Sequence, residues 1–178
     1  MSFSFLFSKC VSGGTDFSEF CSSVMGVVFH PNDNTLASCS LDKSIKLWNL
    51  DTGAELSTMS GHLLNVSCLA FKPDDPNILV SGSFDKTLKI WDLSRAACLS
   101  TVNVDSAVRS VAYSPSGDTV AVGCHRGKVL LVDTLTGQVM LSLRGHNGRD
   151  DCICHFDVLG RLVGAVNPQC PVSGHSDW

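Results

Sequence analysis

Apolar residues in this chain come in short runs separated by Pro, Asp, Asn and Gly. Residues 65–102 show the pattern most clearly. NVSCLAF stops at KPDDPN, ILVSGS stops at Phe84-Asp85-Lys86, TLKIWDL follows, and ACLSTV closes the stretch. Each run is β-branched or aromatic in character and is bounded by turn formers, the signature of a strand. Thr87-Leu88-Lys89-Ile90 alternates polar and apolar, which suits a strand with one covered face. The first two runs are nearly continuous in apolar residues, as expected for strands covered on both faces. No segment sustains a 3.6-residue period, so no helix is predicted. The stretch reads as one four-stranded antiparallel sheet.

The same pattern returns along the chain. Phe29, Phe71 and Tyr113 are spaced 42 residues apart, as are Pro31, Pro73 and Pro115. Gly61-His62 and Gly145-His146 lie 84 apart, as do Thr52-Gly53 and Thr136-Gly137. Asp42 precedes Trp48 by six residues, and Asp85 precedes Trp91 by six. Sheets are therefore predicted at about 24–61, 66–102 and 107–144. One such sheet cannot bury both faces alone, so neighbours must stack.

A period of about 42, a Gly-His opening, a turn Asp and a closing Trp-Asp resemble the WD40 repeat, one blade of a β-propeller. The resemblance implies an all-β chain of WD40-type four-stranded blades in an incomplete or open propeller. An atypical N-terminal segment, 1–20, is expected to precede blades at 21–61, 62–103 and 104–146. A degenerate partial blade and tail, 147–178, would follow. The resemblance also implies a buried polar network of His62, Ser81, Asp85 and Trp91, in which the turn Asp accepts from the imidazole and the Ser hydroxyl links to the indole. Ser, His and Asp are also hydrolase residues, but there is no nucleophile elbow and the family uses the set for stability.

The blades depart from the pattern unequally. The first keeps Ser38, Asp42 and Trp48 but has Phe20 at the His position. The third has Val104 or Asp105 at the His, Val122 at the Ser, Arg126 at the Asp and Val132 at the Trp, so apolar packing is expected to hold it. Beyond His146 two strands are expected, with Phe156 at the aromatic position and Gly160 in their turn. Gly174-His175 looks like a further opening. CVSGGTD (10–16) resembles LVSGSFD (79–85), and the alternating Phe3, Phe5 and Phe7 suit an outer strand.

Composition narrows the function. The 178 residues are 44% hydrophobic and 17% charged, an ordinary globular balance. A formal net charge of −4 argues against a dedicated nucleic-acid binder, and no apolar run reaches the length of a membrane span. Of nine cysteines, Cys39 and Cys124 read as small buried strand residues, which favours a reducing, cytoplasmic or nuclear compartment over a disulfide framework. Cys152, Cys154 and His155 with Cys124, His125 and Cys170 lack usual zinc spacing, so neither metal nor cofactor is expected.

Family members bind peptides chiefly on the propeller's narrower face. The residue before each turn Asp and the start of each innermost strand make the contacts. Here those positions are Leu41, Phe84 and His125, with Met25, Asn65, Ser67, Ala107 and Arg109. The expected function is a non-enzymatic scaffold with other proteins or peptides as partners. Self-association through open blade edges would be a further route. The chain is read as a fragment or truncated product of a longer propeller protein. The alternative is a regulatory or sensing portion of a larger enzyme or nucleotide-switch protein.

Overall fold

In the computed structural model the described residues are 22–144, together with the backbone of two short strands, Cys154–Phe156 and Leu162–Ala165. The first sheet contains β1 (Val24–Phe29), β2 (Thr35–Ser40), β3 (Ser44–Asn49) and β4 (Glu55–Ser60). The second contains β5 (Val66–Phe71), β6 (Ile78–Ser83), β7 (Thr87–Asp92) and β8 (Ala97–Asn103). The third contains β9 (Val108–Tyr113), β10 (Thr119–Cys124), β11 (Lys128–Asp133) and β12 (Val139–Arg144). Each is an antiparallel meander in sequence order, and no described residue is helical. The sheets are consecutive propeller blades that do not close into a ring. β1, β5 and β9 lie side by side, and β13 (Cys154–Phe156), paired with β14 (Leu162–Ala165), lies beside β9.

Two apolar layers hold the blades together. Ala37, Cys39, Ile45, Leu47 and Met59 of the first blade pack on Val66, Phe71, Leu79 and Trp91 of the second. Val80, Leu88 and Val102 of the second pack on Val108, Val120, Val122, Leu130 and Val132 of the third. Adjacent residues Leu79 and Val80 thus serve opposite layers, which is why β6 reads as a continuous apolar run. The outer ends of the array are barer. Val139, Met140, Leu141 and Leu143 of β12 are all at least 44% exposed, and Met25, Val27 and Phe29 of β1 are exposed too.

The third blade follows the apolar alternative. Val104, Val122 and Val132 occupy the positions of His62, Ser81 and Trp91, and all three are buried in the layer facing the second blade. Val104 rather than Asp105 takes the histidine position. Asp105 instead pairs with Lys128 at the surface. The turn changes as well. Where the first two blades have an aspartate followed by one left-handed lysine, the third has two successive left-handed residues, Arg126 at 65° and Gly127 at 66°.

The residue after each Trp position has its own task. Asn49 Oδ1 accepts the N–H groups of Asp51 and Thr52 at 3.0 and 2.9 Å. Asp133 Oδ1 accepts those of Leu135 and Thr136 at 2.9 and 2.7 Å. Asp92 accepts Ser94 Oγ–H and Arg95 N–H. These side chains cap the turn into the fourth strand.

A second regularity lies across the first two strands of each blade. Gly26 stands opposite Cys39, Cys68 opposite Gly82, and Ser110 opposite Gly123. Each pair holds one glycine and one small side chain, because the backbones leave room for one. The glycine moves from the first strand to the second between blades, which explains a cysteine at 39 and a glycine at 82. Cys39, Cys68 and Cys124 are free thiols. Desolvation pushes them up to about 12, 12 and 11, so they are unreactive packing groups.

The readings made for Phe20, residues 10–16, Phe3, Phe5 and Phe7, the turn at Gly160 and the Gly-His pairs at 145 and 174 lie outside the described residues. So do the side chains of the metal reading beyond Cys124 and His125.

Candidate functional site

The turn Asp85 organises the second blade. Trp91 Nε1–H donates to Ser81 Oγ at 2.8 Å, and Ser81 Oγ lies 2.7 Å from His62 Nε2. His62 Nδ1 is 2.9 Å from Asp85 Oδ2. One proton arrangement satisfies all of them: indole to hydroxyl, hydroxyl to Nε2, and Nδ1–H to carboxylate, with the imidazole neutral. The same carboxylate accepts Leu63 N–H at 2.8 Å, Thr87 N–H at 2.9 Å and Thr87 Oγ1–H at 2.6 Å. The His62 and Asp85 side chains are 0% and 4% exposed. Gly61 brings the chain over Trp91, where a Cβ would meet Cη2 at 3.2 Å.

Thr87 went unnoticed in the sequence, although Ser44 at the equivalent position was a signal. In the first blade Trp48 Nε1–H donates to Ser38 Oγ at 2.8 Å, while Asp42 accepts Ser44 N–H and Oγ–H. Two further serines repeat. Ser40 and Ser83 each donate to a carbonyl before the innermost strand, Ser23 and Leu64, and each accepts the turn Asp N–H.

The partner-facing candidates gather at one end, here called the upper end. There the turns into β3, β7 and β11 meet the connections into β5 and β9. Leu41 N–H donates to Ser23 O, Phe84 N–H to Asn65 O and His125 N–H to Ala107 O, at 2.9–3.0 Å. The Arg109 guanidinium lies over the Phe84 ring, 4.4 Å from its centroid. Met25, Phe84 and Arg109 line a groove of about 390 Å³ along β1, β5 and β9. Ser67 is different. It is buried, and its hydroxyl lies 2.7 Å from Val108 O and 3.0 Å from Gly82 O, so it ties the second blade to the third.

Family comparison settles the architecture's kinship. The WD domain, G-beta repeat family model matches residues 15–49 and 53–92, and the anaphase-promoting complex subunit 4 WD40 domain matches 86–157. The chain belongs to the WD40-repeat family. A periodic tryptophan protein 2 homolog of Dictyostelium discoideum is 30% identical over 156 residues, 81% of this chain and 17% of that protein. Coatomer subunit beta'-1 of Arabidopsis thaliana is 47% identical over 49 residues, 27% of this chain and 5% of the relative. Coatomer subunit beta' of Drosophila melanogaster is 43% identical over the same length. The chain thus spans a small part of the relatives it matches.

The WD40 network makes stability sensitive to acid. Desolvation lowers His62 below its ordinary 6.5, more than the hydrogen bond and charge of Asp85 restore. Burial alone would raise Asp85, but Thr87, the Leu63 N–H and His62 together hold it at about 2. Both shifts act in one direction. The unfolded chain binds the His62 proton first, so stability is complete above about 6.5 and falls as pH drops below it. Asp85 adds a second loss between its unfolded value of 3.8 and about 2. Melting temperatures measured from pH 8 to pH 4 are expected to fall below about 6.5. They should fall less steeply in His62→Asn. An unchanged slope in that variant would show that His62 is not the titrating group.

Proposed function

We propose that this WD40 chain is a non-catalytic scaffold that offers its upper end to other proteins or peptides, in the cytoplasm or nucleus. The observation that carries the reading is the repeated backbone clamp at Leu41, Phe84 and His125. It fixes three turns against the innermost strands and leaves the half-buried Phe84–Arg109 pair beside an open groove. Aromatic and Arg side chains on rigid backbone are the types that anchor interfaces. Met25, Asn65, Ala107 and Arg109 complete the candidate surface, with Ser67 beneath it as an inter-blade tie.

The chain is read as part of a longer propeller protein. The small share of its relatives that it matches and the bare apolar residues of β12 support this. In that setting the blades could equally serve a larger enzyme or nucleotide-switch protein as its sensing part.

The test places a photo-crosslinking amino acid at Leu41, Phe84 or His125, or at Asp51 or Asp118 at the opposite end, in cells. Defined protein adducts are expected from the first three positions and not from the other two. Equal adducts at both ends would overturn the upper-end assignment, and cross-links between copies through β1 or β12 would mark self-association instead.

A further inference from the structure

The chain's overall charge of −4 conceals a separation between its two ends. At the upper end stand Lys43, Lys86, Arg109, Arg126, Lys128 and Arg144, placed there by the turns into the third strands and by the upper tips of β9, β11 and β12. Among the described residues, three carboxylates share that end. Asp85 is consumed by His62, Leu63 and Thr87, and Asp105 by Lys128. Only Asp42 is exposed without a cation among the described residues, and it accepts from Ser44. The opposite end reverses the sign. Its loops carry Asp33, Asp51, Asp74, Asp75, Asp118 and Asp133, while its cations Lys72 and Arg95 are paired with Asp74 and Asp92.

The upper cations are also repeated. Lys43 and Lys86 hold the same turn position in successive blades, and Arg126 stands one residue earlier in the matching turn, before Gly127. All three cations are exposed and left-handed, at φ 74°, 66° and 65°. Asparagine or glycine would suit such a conformation better. The third blade follows that preference with Gly127 at the Lys position, yet keeps a left-handed cation beside it at Arg126, so local backbone preference does not account for Lys43, Lys86 and Arg126. Beside this row, Leu63 is 76% exposed and Leu64 49% exposed in the connection into β5, next to Phe84 with its Arg109 partner.

We propose that the upper end is a docking surface for an acidic peptide segment that carries a bulky apolar side chain. The proposal rests on the scaffold reading and names the chemistry of its partner. Carboxylates of the segment lie along Lys43, Lys86 and Arg126, one blade after another, and its apolar side chain seats on Leu63, Leu64 and Phe84. A nucleic acid is the other polyanion to consider, and the surface suits it less. Of the Phe, Tyr and Trp residues described, Phe84 alone lies at this end, and Arg109 covers its ring. Stacking on bare aromatic faces is what single-stranded nucleic acid exploits. Two exposed leucines offer it nothing.

Fluorescence anisotropy on the full chain tests this with a short fluorescein-labelled peptide of glutamates flanking Leu-Leu. The comparison probes are the same peptide with lysines for glutamates, the same peptide with Gly-Gly for Leu-Leu, and an oligouridylate of equal length. The acidic leucine peptide is expected to bind tightest and to weaken with added salt. The triple variant Lys43→Gly, Lys86→Gly, Arg126→Gly is expected to bind it about tenfold more weakly. Glycine suits the three left-handed turns, so the fold is kept, and circular dichroism checks this. Asp51→Asn with Asp118→Asn at the other end should leave binding unchanged. Equal binding by the triple variant, or equal or tighter binding of the lysine peptide or the oligouridylate, overturns the proposal. If it is overturned while upper-end cross-links to proteins persist, the scaffold reading stands and only the partner's charge is wrong.

Discussion

Asp85→Ala is expected to destabilise the second blade by about 2–3 kcal/mol. The carboxylate satisfies the Leu63 N–H, the Thr87 N–H and hydroxyl, and the His62 ring. Its removal leaves an imidazole N–H whose side chain is 0% exposed with no acceptor of equal strength. His62→Ala should cost about the same, since the Ser81 hydroxyl then loses its acceptor, the Asp85 carboxylate loses its ring donor, and a buried cavity is left where the imidazole stood. The double variant should cost far less than the sum, because the two groups act on one network. Arg126→Ala, at the equivalent turn of the third blade, is expected to cost under about 0.5 kcal/mol, as it is exposed. Urea midpoints of the full chain, with hydrogen exchange of the β5–β8 amides to locate the loss, decide the matter. Equal effects of Asp85→Ala and Arg126→Ala would show that the aspartate network does not hold the blade.

Gly82→Ala is expected to be comparably damaging, about 2–3 kcal/mol, through crowding rather than lost hydrogen bonds. A Cβ there would lie 2.3 Å from Val108 Cγ1 and 2.7 Å from Cys68 Sγ. Val108 is fully buried between the second and third blades, so it cannot swing aside without opening that layer. The first blade shows the remedy, a glycine on the facing strand: Gly26 stands opposite Cys39. Adding Cys68→Gly to Gly82→Ala is therefore expected to recover about 1 kcal/mol. The same urea titration measures it. A double variant no more stable than the single would mean that the Val108 contact alone sets the cost, and that the glycine pairing across these strands has no energetic content.

Much of the molecule could be read from local pattern. The 42-residue spacing of Phe29, Phe71 and Tyr113, with runs bounded by Pro and Asp, places the four strands of the second blade and the limits of the other two sheets within a residue. That works because a meander pairs each strand with its sequence neighbour, so topology follows from order. His62, Ser81, Asp85 and Trp91 could be singled out through the resemblance to the WD40 repeat, which carries over residue by residue because the four lie inside one blade.

What only the tertiary structure decided concerns residues that meet across blades or ends. Ser67 looks like the exposed start of an inner strand until Val108 of the next blade is seen beside it. Cys39 and Gly82 look like a chance exchange until Gly26 and Cys68 stand opposite them. The charge balance reads as mildly acidic throughout, although alternate turns send cations to one end and carboxylates to the other. Sequence order and period 2 determine which face of its own sheet a side chain takes. What lies opposite it depends on how sheets stack, and turns distant in the chain come together only when the blades are packed side by side.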